Sequence, residues 1–98
     1  MVNIQGHNFE GPYQLGTRFD NVPGVYAVYT SQVWLDIGET ESLGDRINDD
    51  NHERKPDWIR NSNNLPVFIA FLAVADSQTR LNIESLLRSV LNPVCGER

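Results

Sequence analysis

Alternating apolar and polar positions in the first half of the chain predict a β-hairpin. Residues 25–29 follow a Pro-Gly pair and are β-branched, aromatic or small, which is typical of a strand. Residues 32–38 have the same character, and a short loop at 30–32 connects the two runs. This pairing places one apolar set on a single face, comprising Val25, Ala27, Tyr29, Val33, Leu35 and Ile37. A slip of one residue would move that set to the other side, so the pattern selects a register in which Tyr26 and Asp36 share the opposite face.

The residues after this hairpin predict a short helix. Thr40 is a suitable N-cap, and the helix is expected to run to about Asp50. Leu43 and Ile47 lie four residues apart and would bury against the sheet, which leaves Arg46 at the border of the buried stripe.

A nearly unbroken apolar run at 67–75 predicts a strand that is covered on both faces. The polar segment before it, 51–65, is interpreted mostly as loop, with one helical turn at 56–60. Asp76 or Ser77 caps the last helix, which ends at the following proline. The core-facing arc of that helix is predicted to contain Leu81, Ile83, Leu86, Leu87, Val90 and Leu91.

The order strand, strand, helix, loop, strand, helix predicts an α+β fold, with a small antiparallel sheet of three strands flanked by helices. The 98 residues fit a single domain, 1–98. Residues 1–22 are rich in glycine and other turn-forming types, and they are expected to form an extended lead-in.

Charge and composition narrow the classes of function. The net charge of −5 argues against nucleic-acid binding, since phosphate-binding surfaces usually carry a surplus of lysine and arginine. Eight of the thirteen acidic residues lie between Asp36 and Asp57, a density that could serve a cation or simply solvate a helix face. The single cysteine, Cys95, fits a reducing compartment. Neither a secretion signal nor a membrane-spanning apolar run is present, so a cytoplasmic protein is expected.

An ordered set of motifs carries the most information about function. Gly24-Val25-Tyr26 is followed by Asp36-Ile37-Gly38, then by Thr40, Leu43 and Arg46 at helical spacing, and far downstream by Glu84. This arrangement resembles the GIY-YIG nuclease family over residues 23–96, with aspartate in place of the tyrosine of the second half-motif.

The resemblance implies hydrolysis of a phosphodiester in DNA with one divalent cation, Mg²⁺ or Mn²⁺. Glu84 would hold the metal, Arg46 would neutralise charge on the scissile phosphate, and Tyr26 would position or deprotonate the attacking water. A fixed guanidinium and a metal stabilise the charge that develops on phosphate oxygens during attack, and a carboxylate is a hard oxygen ligand suited to magnesium.

Three positions depart from the family pattern, namely Asp36, Asp50 and Gly96, where tyrosine, histidine or tyrosine, and asparagine are usual. Aspartate is anionic at neutral pH without assistance. Asp36 is therefore a candidate second metal ligand or base, with Tyr26 then acting as a hydrogen-bond donor. His52 is a candidate proton carrier if the first helix ends early, although a loop histidine exposed to solvent is an alternative.

Ordinary structural roles remain open for the same residues. Glu84 has Arg80 four residues before it and Arg88 four residues after it, a spacing that suits a surface ion-pair ladder. The candidate substrate-binding residues are Arg54, Lys55, Trp58 and Arg60, which could grip a nucleic-acid backbone by charge and stacking. Neighbouring acids cancel much of that positive field, and Trp58 could equally be a packing residue.

The sequence supports two candidate functions and leaves open a third class of protein, a purely structural domain. The first is a metal-dependent DNA endonuclease of the GIY-YIG type, and the second is a catalytically degenerate module of the same fold that binds nucleic acid or a protein partner. A purely structural domain that pairs with another protein or with its own copies is favoured by the acidity. A nuclease requires Tyr26, Arg46 and Glu84 to converge on one cleft, whereas a degenerate module would have Glu84 locked by Arg80 or Arg88.

Overall fold

The computed structural model describes residues 1–48 and 55–95. Within these ranges the elements are β1 (Val2–Ile4), β2 (His7–Gln14), β3 (Gly24–Tyr29), β4 (Trp34–Thr40), α1 (Leu43–Ile47), α2 (Lys55–Asn61), β5 (Phe68–Ala73) and α3 (Ser77–Leu91). The described strands form one antiparallel sheet in the order β1-β2-β5-β3-β4. The α+β class is confirmed, and the apolar run before α3 is a central strand of the sheet, as its sequence predicts.

The sheet has five strands in the described residues, so the prediction of three strands is wrong. The residues expected to be an extended lead-in instead fold into the hairpin β1-β2, and β2 pairs with β5. Gln5 and Gly6 make the turn with positive φ angles of 51° and 87°. Ile4 and Phe9 are buried on either side of it. Turn residues separate these two apolar residues, so the apolar pattern of this segment is too short to predict strands from the sequence.

A bulge in the β3-β4 hairpin changes the predicted faces. Ala27 pairs with Ile37 and both lie on the predicted face, but the register shifts after Val28, which pairs with Asp36. Leu35 therefore packs on the opposite side, as does Val33 in the connection, and the prediction is wrong for these two residues. The connection is also one residue longer than expected, since it spans 30–33.

Both faces of the sheet are covered. One face, here called the Tyr26 face, carries a core of Tyr26, Val28 and Leu35 that packs with residues of α1 and α2. The other, here called the α3 face, carries Val25, Ala27 and Ile37, against which Leu87 of α3 packs.

The first two helices differ from their predicted bounds. Ser42, and not Thr40, is the N-cap of α1, because the hydroxyl of Thr40 accepts a hydrogen bond from the amide of Ser42 and lies in the preceding turn. The predicted end at Asp50 lies outside the described residues. The interpretation of 51–65 as mostly loop underestimates α2, which covers two turns and buries Trp58.

The last helix begins as predicted but buries a different set of residues. Asp76 is the N-cap, and its carboxylate accepts a hydrogen bond from the amide of Thr79 at 2.8 Å. Leu87 is buried, with Ile83 and Leu91 packed against the same cluster. The rest of the predicted arc is exposed, namely Leu81 (44%), Leu86 (51%) and Val90 (46%). Two arginines occupy the corresponding buried positions, because β4 supplies them with carboxylates. No helix in the described ranges is long and apolar enough to cross a membrane.

Candidate functional site

Tyr26 lies in the middle of β3 and is fully buried. Its partner across the hairpin is Gly38 of the edge strand β4. The phenol ring lies directly over Gly38, so that a β-carbon added at Gly38 would collide with the ring carbon Cζ and the hydroxyl of Tyr26. The glycine of the second half-motif therefore has a physical explanation, since only a residue without a side chain leaves room for the ring.

Arg46 of α1 reaches the same phenol. Its Nε donates a hydrogen bond to the hydroxyl of Tyr26 at 3.3 Å, although the two residues are twenty apart in sequence. Leu43 and Ile47 are buried on the Tyr26 face and fix the rotation of α1, and this turns Arg46 toward β3. The structure thus brings together two of the residues that the motif singles out.

Glu84 is half-buried on α3, between two buried arginines. Arg80, one turn before it, donates from Nε to a carboxylate oxygen of Glu39 at 2.9 Å. Arg88, one turn after it, donates from Nη2 to Asp36 at 2.5 Å. Both guanidinium groups are therefore directed to acids of β4, and the described contacts of Arg80 and Arg88 do not form the surface ladder that their spacing with Glu84 suggests.

These two ion pairs define how α3 lies along β4. Arg88 lies eight residues after Arg80, a helical rise of about 12 Å, and Glu39 lies three residues after Asp36, a strand length of about 10 Å. α3 therefore runs antiparallel to β4. The distance between the two arginines along the helix is similar to the distance between the two acids along the strand. Glu84 lies midway along α3 between the two arginines that make these pairs.

Asp36 is completely buried at the position where the family pattern has its second tyrosine. Its Oδ1 accepts hydrogen bonds from Arg88 and from the amide of Ile37, and its Oδ2 accepts one from Nε1 of Trp58 at 2.9 Å. Three donors from three elements thus converge on this carboxylate. The arrangement connects β4 to α2 on one side and to α3 on the other.

The candidate substrate-binding residues that the structure describes all lie on α2 but do not share one surface. Trp58 is fully buried with its indole N–H directed at Asp36, so its ring is a core group and offers no face for stacking. Arg60 is largely exposed and paired with Asp57 at 2.9 Å, and Lys55 lies at the start of the same helix. His52 and Arg54 lie outside the described residues, as do Asp50 and Gly96.

The donor set at Glu84 fits one kind of cation site. The described residues contain no group of three His, Cys, Asp or Glu side chains that could hold a metal ion. A magnesium ion usually keeps several waters and is bound through one or two carboxylates together with substrate phosphate. One half-buried carboxylate fits that mode of binding, whereas Asp36, already surrounded by three donors, does not.

Comparison with solved structures found one of similar fold. It is the GIY-YIG N-terminal endonuclease domain of UvrC from Thermotoga maritima, a point mutant bound to its catalytic divalent cation. The TM-score is 0.63 at 18% sequence identity, over 81% of this chain and 87% of that one. The chain has a GIY-YIG-like fold. No family model and no curated protein matches the sequence.

Sequence reasoning singles out Tyr26 and Arg46, which the structure brings into contact, but it misses the buried contacts of Arg80, Arg88 and Trp58. The signal for Arg80 and Arg88 is present, since both lie four residues from Glu84, but it is read as a surface pattern. What reveals the difference is burial, because these arginines are only 3% and 7% exposed. The sequence has no comparable signal for the indole of Trp58 bonding to Asp36.

Proposed function

We propose that the protein is a divalent-metal-dependent endonuclease that cleaves phosphodiester bonds in DNA, with Tyr26, Arg46 and Glu84 as its catalytic residues. The observation that carries this proposal is the contact between Arg46 and the Tyr26 hydroxyl. The likeness to the UvrC domain supports the same type of chemistry.

Each catalytic residue has a role that follows from its chemistry. Arg46 presents a permanent positive charge that stabilises the developing negative charge on the phosphate oxygens. The hydroxyl of Tyr26 accepts a hydrogen bond from Arg46, which holds the phenol in a fixed position, and a phenol can orient a water or the substrate by hydrogen bonding. Glu84 would hold the cation, which when bound supplies Lewis-acid activation of the phosphate.

Asp36 has a supporting role in this proposal and not the role of ligand or base. Its oxygens face Arg88, Trp58 and a backbone amide, so they are directed into the protein. A base must lie within hydrogen-bond reach of the proton it takes, and both oxygens of Asp36 already accept hydrogen bonds from groups of the protein. We assign it to holding α2 and α3 on β4.

The DNA backbone would be held mainly by charge. Lys55 and Arg60 of α2, with Arg54 outside the described residues, are the proposed phosphate contacts. Because the net charge is −5, few contacts are available, and binding is expected to be weak and sensitive to salt. Mg²⁺ or Mn²⁺ in the site would also reduce repulsion between the phosphate and nearby acids.

One observation favours the second candidate function, a degenerate GIY-YIG-like module that binds nucleic acid or a protein partner. Tyr26 is fully buried in the core of its face, where it acts as a packing residue whether or not it takes part in catalysis. In this alternative the contact with Arg46 stabilises α1 and the site has no hydrolytic role.

Nicking of supercoiled plasmid in Mg²⁺ or Mn²⁺ tests the proposal. The variants are Glu84→Gln, Arg46→Met and Tyr26→Phe, and Leu86→Ala is the matched control because Leu86 is exposed on the same helix as Glu84. We expect Leu86→Ala to nick like the parent chain. Arg46→Met and Glu84→Gln are expected to lower the rate by roughly 10²- to 10³-fold, the range for removing one group that stabilises the transition state.

The outcomes separate the two candidate functions. An inert parent chain that retains DNA binding identifies the degenerate module. Nicking that persists in Glu84→Gln at the parent rate reveals a contaminating nuclease and refutes the proposed site. Loss of nicking in the three site variants, with the control active and all proteins folded, supports the endonuclease.

A further inference from the structure

We infer that Arg80 and Arg88 are positioning residues, which set the register of α3 against β4 and thereby fix the position of Glu84 along the edge strand. This inference rests on the proposed function, since it explains how that site is assembled. In the proposed site neither arginine touches the substrate or the cation. Both act through Glu84, which lies one helical turn from each.

Arg80 fixes the amino-terminal part of α3. Its Nε donates to Glu39 at 2.9 Å, and its Nη1 donates to the carbonyl oxygens of Val74 and Ala75 at 3.2 and 2.8 Å. One buried guanidinium thus binds the edge strand and the segment that leads into the helix. A rigid fork with several donors restrains both the position and the rotation of this end of the helix.

Arg88 fixes the carboxyl-terminal part in the same manner. Its Nη2 donates to Asp36, and its Nη1 lies 3.5 Å from the carbonyl oxygen of Cys95. Asp36 is held in turn by Trp58 of α2, so that the acceptor cannot follow the helix if the helix moves. The two arginines therefore attach α3 to β4 at points on either side of Glu84.

Apolar packing alone would not fix this register. Side chains such as Leu87 and Leu91 contact the α3 face through forces that depend little on direction, so a small displacement along β4 loses little. A buried ion pair, in contrast, is strongly destabilised when its partners separate, although the intact pair adds little net stability. Two such pairs therefore select one placement of the helix.

The inference is tested first by distance measurement. Spin labels at Leu86 of α3 and at Gln32, in the exposed loop before β4, report the placement of the helix by double electron–electron resonance, in chains with Cys95 replaced by serine. We expect a narrow distance distribution in the parent chain, and a broadened or shifted one in Arg80→Met and Arg88→Met. Asp76→Ala, which removes the N-cap and weakens α3 without touching β4, is the matched control and should leave the distribution unchanged.

The second readout is binding of Mn²⁺ without DNA, followed by the paramagnetic signal of the free ion. Removing groups that orient a metal ligand typically weakens metal binding by about 10- to 100-fold, and we expect losses of this order in Arg80→Met and Arg88→Met. Arg80→Lys keeps the charge and one contact with Glu39, so it should recover part of the loss. Asp76→Ala should bind Mn²⁺ like the parent chain at a temperature where both are folded.

The two readouts fail in different ways. If the distance distribution stays narrow in both arginine variants, the register claim is overturned, whatever the metal result. If the distribution changes and Mn²⁺ affinity does not, while Glu84→Gln abolishes binding, the positioning role is wrong and the proposed function stands. If Glu84→Gln leaves Mn²⁺ binding intact, the metal role of Glu84 is refuted. The inference that the two arginines position a metal ligand then fails as well.

Discussion

Asp36 and Arg88 are separated by 52 residues in sequence and form a buried ion pair at 2.5 Å. The carboxylate is fully buried and the arginine is 7% exposed. Because Trp58 donates to the same carboxylate, the pair lies at a junction of β4, α2 and α3. A residue expected to serve catalysis thus has a clear structural role.

Breaking this pair on one side should strongly destabilise the protein. Arg88→Met leaves an uncompensated carboxylate in the core, and Asp36→Leu leaves an uncompensated guanidinium, so each should lower the free energy of unfolding by about 3–5 kcal/mol. The double variant should lose clearly less than the sum of the two single losses. Urea unfolding of the four proteins provides the measurement, and strictly additive losses would refute the coupling.

The same reasoning applies to restoring the family tyrosine. Asp36→Tyr removes the acceptor of both Arg88 and Trp58 and adds volume to a closed space. The expected result is therefore a less stable chain with no gain in nicking.

Gly38→Ala is expected to disturb the site through Tyr26. The new methyl group would collide with the phenol, so the ring must shift and its contact with Arg46 must lengthen. Overpacking of this kind lowers the free energy of unfolding by about 1–3 kcal/mol. Tyr26→Phe removes the hydroxyl but keeps Cζ, which is as close to the new methyl group, so most of the loss caused by Gly38→Ala should persist in the Tyr26→Phe background. Urea unfolding provides the measurement, and disappearance of the loss in that background would show that the ring carbon is not an obstacle.

The N-cap of α3 should make stability depend on pH in the acid range. Hydrogen bonds from the side chain and the amide of Thr79 lower the pKa of Asp76 below its ordinary value. The contribution of Asp76 is therefore complete above the unfolded-state pKa, about 3.9, and is lost as the pH falls through the lower folded-state pKa. Melting curves of the parent chain and Asp76→Ala should differ at pH 6 and converge under strong acid. A difference that stays constant down to strong acid would exclude the ionised cap.

The local patterns predict most of the central part of the fold. Val25 and Ala27 alternate with residues of the other face, and the apolar run of β5 marks a covered strand, so these elements are predictable from composition and period alone. Asp76 is predictable for a similar reason, because capping depends on neighbours three residues away.

What the sequence does not predict depends on contacts distant along the chain. Whether Arg80 faces solvent or the core depends on Glu39, which lies forty-one residues away. Leu35 moves to the Tyr26 face because of a bulge, and one extra residue in a strand leaves no periodic signal. Of the site itself, the contact between Tyr26 and Arg46 agrees with the motif, whereas the fate of Asp36 follows from Trp58 and Arg88, which no local pattern connects to it.

The amino-terminal hairpin also protects the sheet. Because β2 pairs along β5, the amide and carbonyl groups on that side of β5 are satisfied within the molecule. A chain shortened to begin at Pro23 would keep every motif residue and yet present an open flank of an apolar strand, which invites addition of a strand from a neighbouring molecule. Residues 1–22 thus guard against self-association, and a minimal domain cut to the motif boundaries would be prone to precipitate.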